Sequence, residues 1–292
     1  MLRRIFLLVL LLIAPLAATA RTEVITLPDG RSYRIDLPES IANAPLILAL
    51  HGGGGNPDQF ARNTGLSAPA NVAGYAVIYP AGSARRGLFL TWNGGYCCGY
   101  AAEEEIDDIG FLDRVIADAT SRFDLNARRV YITGMSNGAV LAETYAALRP
   151  GQIRAVAGVA GTMDARTVVV AGRMPWLHIH GTADMQVPYS GGRGADASTD
   201  TDFASVDRVR SAFARQFANR LSQQANVIDE VADGKRVIRS DFLGPQGLLV
   251  MRILTIEGGG HNWPGSMRAD RTDGSLDVDA NAEILTFFNL HP

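Results

Sequence analysis

Runs of about five apolar residues, each closed by a turn signal, recur along the chain and alternate with stretches of helical periodicity. Residues 23–27 and 32–37 read as two strands split by Pro28-Asp29-Gly30, a hairpin signal. Residues 45–50 (PLILAL), 75–79 (YAVIY), 129–133 (RVYIT), 155–160 and 176–180 are nearly continuous apolar segments, the mark of strands buried on both faces. Between them, Asp107-Asp108 open a helix along which Ile109, Leu112, Val115, Ile116, Ala119 and Phe123 recur at helical spacing. A second helix covers residues 137–148 and stops at Pro150-Gly151. After a Gly-, Asp- and Ser-rich loop over 190–202, Val206, Val209, Phe213, Phe217 and Leu221 form a third helical stripe. Residues 227–231 and 237–242 flank the turn signal Asp233-Gly234, residues 248–256 form the last strong strand, and Asp279 caps a closing helix carrying Ile284, Leu285 and Phe288. The pattern predicts an α/β fold, a mostly parallel sheet with helices on both faces, in a single domain over residues 21–292.

The first twenty residues stand apart. Arg3 and Arg4 precede an unbroken apolar run over residues 5–13, and Ala18-Thr19-Ala20 makes an A-x-A cleavage box before Arg21. This is the layout of a secretory signal peptide over 1–20, and the run is short for a spanning helix. The expectation is an exported protein, in the periplasm or the medium, with no membrane attachment after cleavage. A composition of 47% hydrophobic and 20% charged residues excludes a disordered or collagen-like chain. With 27 cations against 30 acids, a net charge of −3, there is no basic footprint for nucleic acid. Export would also take the two cysteines, Cys97 and Cys98, into a compartment that permits disulfides. Across a trans peptide their Cα atoms stand about 3.8 Å apart, below the usual disulfide range of about 4.4–6.8 Å. Two small buried thiols are the plainer expectation and a vicinal disulfide is the alternative.

Gly134-Met135-Ser136-Asn137-Gly138 is a G-x-S-x-G motif set directly between a predicted strand and a predicted helix. That context suits a nucleophile elbow, a sharp turn that lifts the serine hydroxyl above the sheet and needs glycine on either side. The helix N-terminus also faces any developing oxyanion. The competing reading is Ser136 as a plain helix N-cap. A serine nucleophile needs a base, which in this fold comes after it in the order Ser, Asp/Glu, His. His51 precedes the serine, His178 and His180 share one face of a strand, and His291 is the penultimate residue. His261, in Gly258-Gly259-Gly260-His261-Asn262-Trp263-Pro264 straight after the last strong strand, is the candidate base. Asp184, one short turn beyond the strand over 176–180, is the candidate acid that fixes the tautomer of His261. Its rivals Asp196, Asp200, Asp202, Asp229 and Asp241 follow no apolar parallel-type strand so closely. His51-Gly52-Gly53-Gly54-Gly55 offers the second half of an oxyanion hole, with Gly53, and Gly54 beside it, joining the N–H of Asn137. A phosphate-cradling reading of the same glycines lacks the Lys-Ser/Thr that should follow.

Taken in order, HGGGGNPDQF, WNGGYCCGYA, EIDDIGF, RVYITGMSNGA, HGTADMQVPYSGG and GGGHNWPG resemble the polyhydroxybutyrate-depolymerase-like esterases. That secreted α/β-hydrolase group includes feruloyl and acetylxylan esterases. The resemblance covers residues 43–290. It implies an α/β-hydrolase fold, a carboxylic ester hydrolase with Ser136, Asp184 and His261 as its triad, and site-shaping roles for residues 92–99 and 107–111. The proposed chemistry calls for no cofactor and no metal. The expected partner is an ester substrate, from plant polysaccharide or a polyester oligomer. Trp92, Tyr96, Tyr189 and Trp263, in loops near the motifs, are candidates to wall its pocket. No polymer-binding domain follows the final helix, so soluble aryl, acetyl or hydroxyalkanoate esters are expected ahead of crystalline polymer. Asp273, Asp277 and Asp279 form an acidic loop that could hold calcium, although solvated acids are the plainer reading. Two other functions compete: an acyltransferase on the same scaffold, and a catalytically dead carbohydrate- or ester-binding protein.

Overall fold

A computed structural model describes residues 21–218, 220–266 and 275–292. The expected signal peptide over 1–20, and Asp273 of the acidic loop, lie outside the described residues. The Pro28-Asp29-Gly30 signal does turn the chain: β1 (Arg21–Thr26) pairs antiparallel with β2 (Ser32–Leu37), and Gly30 takes φ 84° at the corner. The chain continues through β3 (Leu46–Leu50), α1 (Pro57–Thr64), α2 (Ser67–Val72), β4 (Ala76–Pro80), α3 (Gly99–Glu103) and α4 (Asp108–Arg122). Then follow β5 (Val130–Met135), α5 (Asn137–Leu148), β6 (Ala155–Val159), β7 (Trp176–Gly181) and α6 (Val206–Ala214). The last elements are β8 (Ser222–Ile228), β9 (Arg236–Leu243), β10 (Leu249–Glu257) and α7 (Ala280–Asn289).

All ten strands join one sheet in the order β1-β2-β4-β3-β5-β6-β7-β10-β9-β8. The six central strands, β4 to β10, run parallel, and antiparallel pairs extend both edges. Strand periodicity sends Leu46, Leu48 and Leu50 of β3 to one face and Ile47 and Ala49 to the other. On the first face they meet Phe111 and Leu112 of α4, Leu141 and Tyr145 of α5, and Phe213 of α6. On the second they meet Phe60 of α1, Ala70 of α2, and Ile284 and Phe288 of α7. Both sides are thus buried, which is why these strands read as unbroken apolar runs. This is the α/β-hydrolase fold.

Two expectations shift. The third helical stripe ends early: α6 stops at Ala214, a 3₁₀ turn follows over Arg215–Phe217, and Ala218 takes φ 50°, leaving Leu221 outside the helix. The strand expected from residue 227 begins at Ser222, and nearly all of it is exposed at the sheet edge, so it carries no apolar alternation to read.

Parallel strands end on the same side. The glycine run follows β3, the serine turn follows β5, Asp184 follows β7 and His261 follows β10. The candidate chemistry therefore converges at the carboxyl ends of neighbouring parallel strands.

Candidate active site

Ser136 sits between β5 and α5 with φ 56° and ψ −126°, a conformation that costs a non-glycine residue energy and persists only where its surroundings impose it. Its N–H donates to the Val159 carbonyl at 2.9 Å, and its carbonyl accepts from Ala139 and Val140. A Cβ at Gly134 would stand 2.4 Å from the Gly138 oxygen, and one at Gly138 would stand 2.3 Å from the Leu50 oxygen. The motif's glycines are thus required by backbone contact. The Ser136 side chain makes no N-cap hydrogen bond, so the plain capping reading does not describe it.

Asp184 is buried and accepts three hydrogen bonds, with a fourth, ion-pair contact from His180. Oδ1 takes the N–H groups of Gln186 and Val187 at 2.8 and 2.9 Å. Oδ2 takes His261 Nδ1–H at 2.7 Å, and His180 Nε2, bonded to the Val187 carbonyl, lies 3.2 Å from the same oxygen. Burial alone would raise this carboxyl, but the bonds from His180 and His261 outweigh it and hold the group well below the usual carboxylate range. With Nδ1–H given to Asp184, His261 in its neutral form keeps a lone pair on Nε2. His261 and Ser136 line one cavity of about 420 Å³. Three of the five rival acids pair elsewhere: Asp241 with Arg252, Asp202 with Arg166 and Asp200 with Arg193.

The glycine loop is set by its neighbours. Gly54 gives its N–H to the Leu90 carbonyl at 2.8 Å, so of the two expected oxyanion donors in the loop this one is already engaged. His51 is buried, donates Nδ1–H to the Gly52 carbonyl at 2.8 Å and accepts the Gly82 N–H at 3.1 Å. Burial pushes it down to about 4, so it stays a neutral brace. The Asn137 side chain clamps the Trp92 backbone, accepting its N–H at 2.7 Å and donating to its carbonyl at 2.9 Å. Next along, Asp108 accepts the Asn93 N–H at 2.7 Å and pairs with Arg31. Trp92, Asn93 and Asp108 thus tie these two segments to each other and to Asn137 through backbone contacts.

The four expected pocket aromatics are corrected. Trp92 is fully buried and donates Nε1–H to the His51 carbonyl, bracing the glycine loop from behind. Trp263 is 2% exposed, stacks edge-on against Phe60 and donates to Asn281. Tyr96 gives its hydroxyl to the Thr162 carbonyl and backs Phe203. Tyr189 bonds Thr255 and lines a separate cleft with Arg210 and Phe242. The cavity walls are instead Phe60 and Phe89 on the His261 side, with Phe89 and Phe203 on a second cavity of about 390 Å³ that also meets Ser136. Phe60 lies inside the HGGGGNPDQF motif and was legible there; Phe203 follows a loop with no apolar pattern and was not.

Cys97 and Cys98 are joined in a vicinal disulfide across a cis peptide, an isomer that the trans spacing left out, and they line the second cavity. Asp277 accepts the Glu230 and Val231 N–H groups and Asp279 caps α7, so these two acids have structural partners.

A strand-borne serine elbow, an acid–histidine pair and an α/β-hydrolase sheet define the class: a carboxylic ester hydrolase. Residues 31–187, more than half of the chain, match the family described as "Esterase PHB depolymerase", and the chain belongs to that family. It is 29% identical over 273 residues to a Nocardia uniformis subsp. tsuyamanensis protein named "Putative esterase NocK", covering 85% of this chain and 75% of that one. It is 27% identical over 163 residues to the "Bifunctional acetylxylan esterase/xylanase XynS20E" of Neocallimastix patriciarum, covering 55% of this chain and only 22% of that protein's length. Among solved structures, the acetyl xylan esterase from Aspergillus awamori shares the fold with a TM-score of 0.60 at 13% identity, over 92% of this chain and 99% of that one.

Proposed function

We propose that the chain is an exported serine esterase in which Ser136 is the nucleophile, His261 the general base and Asp184 its orienting acid. The observation that carries this reading is the 2.7 Å bond from His261 Nδ1 to Asp184, with His261 and Ser136 facing one cavity. His261 takes the Ser136 proton as the hydroxyl oxygen attacks the ester carbonyl, and the N–H groups of Gly53 and Asn137 hold the oxyanion. The alcohol leaves with the proton from His261, and water, activated by the same histidine, releases the acid. Because that proton comes from His261, the leaving alcohol belongs in the cavity His261 lines, beside Phe60 and Phe89. The acyl group then lies in the second cavity, beside Phe203 and the Cys97–Cys98 pair.

Two cavities of about 420 and 390 Å³ suit small ester groups, and phenylalanine walls suit rings or short alkyl chains. Aryl, acetyl and short hydroxyalkanoate esters are the substrate class this supports. The layout of residues 1–20 supports export, and among the described residues no helix is long and apolar enough to cross a membrane. The test is labelling by a fluorophosphonate probe alongside turnover of methyl ferulate, acetylated xylan and hydroxybutyrate trimer. Ser136→Ala should abolish labelling and lower turnover by several orders of magnitude. Full turnover by that variant would overturn the assignment.

A further inference from the structure

Behind Asp184 runs a buried chain of titratable groups that the ester reaction does not use. His178 and His180 lie two apart on β7, so both rings point to one face of the sheet. Both are fully buried, as is Glu143 of α5. Glu143 Oε1 meets His178 Nδ1 at 2.9 Å, His178 Nε2 meets His180 Nδ1 at 3.0 Å, and His180 Nε2 lies 2.8 Å from the Val187 carbonyl and 3.2 Å from Asp184 Oδ2. Space for this chain is built in. A Cβ on Gly158 of β6 would fall 2.5 Å from Glu143 Oε1 and 3.2 Å from His178 Nδ1.

The protons can be counted. Glu143 also accepts Trp176 Nε1–H at 2.8 Å on Oε1 and the Met163 N–H at 3.0 Å on Oε2, so both of its oxygens already act as acceptors. One end of the histidine pair therefore faces a carboxylate, and the other faces a carbonyl and the Asp184 carboxylate. Both outer nitrogens must donate, and the contact between the rings needs a proton of its own. Three protons are required on four nitrogens, whereas two neutral imidazoles carry two. With Glu143 as an acceptor, any arrangement of two neutral rings sets two lone pairs against each other, and a buried polar contact of that kind is costly. Burial pushes His178 below its ordinary value, and the neighbouring Glu143 carboxylate opposes that push. The charged partners of His178 are Glu143 and His180, and those of Asp184 are His180 and His261. Tyr189, edge-on to His180, and Tyr96, which burial pushes up to about 12, present phenols.

We propose that His178 and His180 share one imidazolium charge between the Glu143 and Asp184 carboxylates, and that His180 is a positioning residue whose Nε2–H fixes Asp184 for its bond to His261. The second part rests on the triad reading above; the first stands without it. Asp184 Oδ2 then lies between the His261 Nδ1–H that it accepts at 2.7 Å and the positive His180 ring, whose Nε2 stands 3.2 Å away while bonded to the Val187 carbonyl, so charge attraction holds the carboxylate in place when His261 gains or loses its proton.

The first measurement is nitrogen NMR of histidine-labelled protein between about pH 6 and 8, the range in which an unperturbed histidine titrates. Three of the four ring nitrogens of His178 and His180 should bear protons across that range. One proton on each ring would overturn the shared charge, whatever the enzyme's activity. The second compares His180→Leu with His180→Gln, whose amide N–H can stand in for Nε2–H. In the leucine variant the His261 Nδ1–H signal should be lost to exchange, and kcat should fall by about tenfold or more with KM within about twofold, the signature of an interaction felt in the transition state. The glutamine variant should recover most of both. A folded His180→Leu protein with an intact His261 Nδ1–H signal would overturn the positioning role. An inactive wild-type enzyme that fluorophosphonate does not label would instead overturn the triad, and the nitrogen count would still decide the shared charge.

Discussion

Asp184 is worth most to this site as a charge that never leaves. Its folded value lies below that of an unfolded aspartate, about 3.9. Its contribution to stability is therefore complete above that pH and is lost only as pH falls through the lower folded value. Acid down to about pH 4 should leave the Asp184–His261 bond in place. Asp184→Asn should leave the fold near native yet cut kcat by about 10⁴, because an amide can hold the histidine in the wrong tautomer; a rate within tenfold of wild type in steady-state assays would contradict this. Phe203→Ala should alter discrimination among acyl groups while leaving that among alcohols unchanged, because Phe203 lines only the cavity without His261. A matrix of acyl and alcohol variants separates the two. Ser136, Asp184 and His261 were legible because each stands at a fixed place after an apolar strand. The aromatics were not, because their surroundings come from distant segments: Trp92 from His51 and Asn137, and Trp263 from Phe60 and Asn281.

At the level of elements, the elbow is held by backbone packed against backbone. Gly161, beyond β6 and outside the G-x-S-x-G motif, would place a Cβ 2.3 Å from the Ser136 carbonyl. Gly161→Ala should therefore cost about 1–3 kcal/mol in denaturant unfolding and, on the proposed mechanism, lower turnover by displacing Ser136. Equal turnover and stability would show that the elbow can yield. The parallel core was readable because burial on both faces leaves unbroken apolar runs. The short helices α1, α2 and α3 were not: α1 begins at Pro57, after the cap Asn56, whose side chain accepts the Gln59 N–H, a start signal hidden behind the glycine run. β8 was misplaced because an exposed edge strand has no face that must be apolar.

The whole molecule carries histidines that it keeps neutral. His51 and His291 are both pushed down to about 4 by burial, against about 6.5 when unfolded. A depressed histidine stabilises the fold above its unfolded value. Below it the unfolded chain takes up the proton first, so stability declines as pH falls from about 6.5 to about 4. For His51 that decline amounts to about 3 kcal/mol. Thermal melts across this window should show a falling midpoint, and His51→Gln should flatten part of the slope; melts independent of pH would refute the burial argument. The Asn137 clamp on Trp92 has a bearing on how such an enzyme can change over generations. One short amide both donates and accepts across a gap of 45 positions; aspartate cannot donate, and glutamine is a carbon too long. A randomised library at 137 should return asparagine almost alone unless the loop at 92 is randomised with it, so these two segments are free to drift only together.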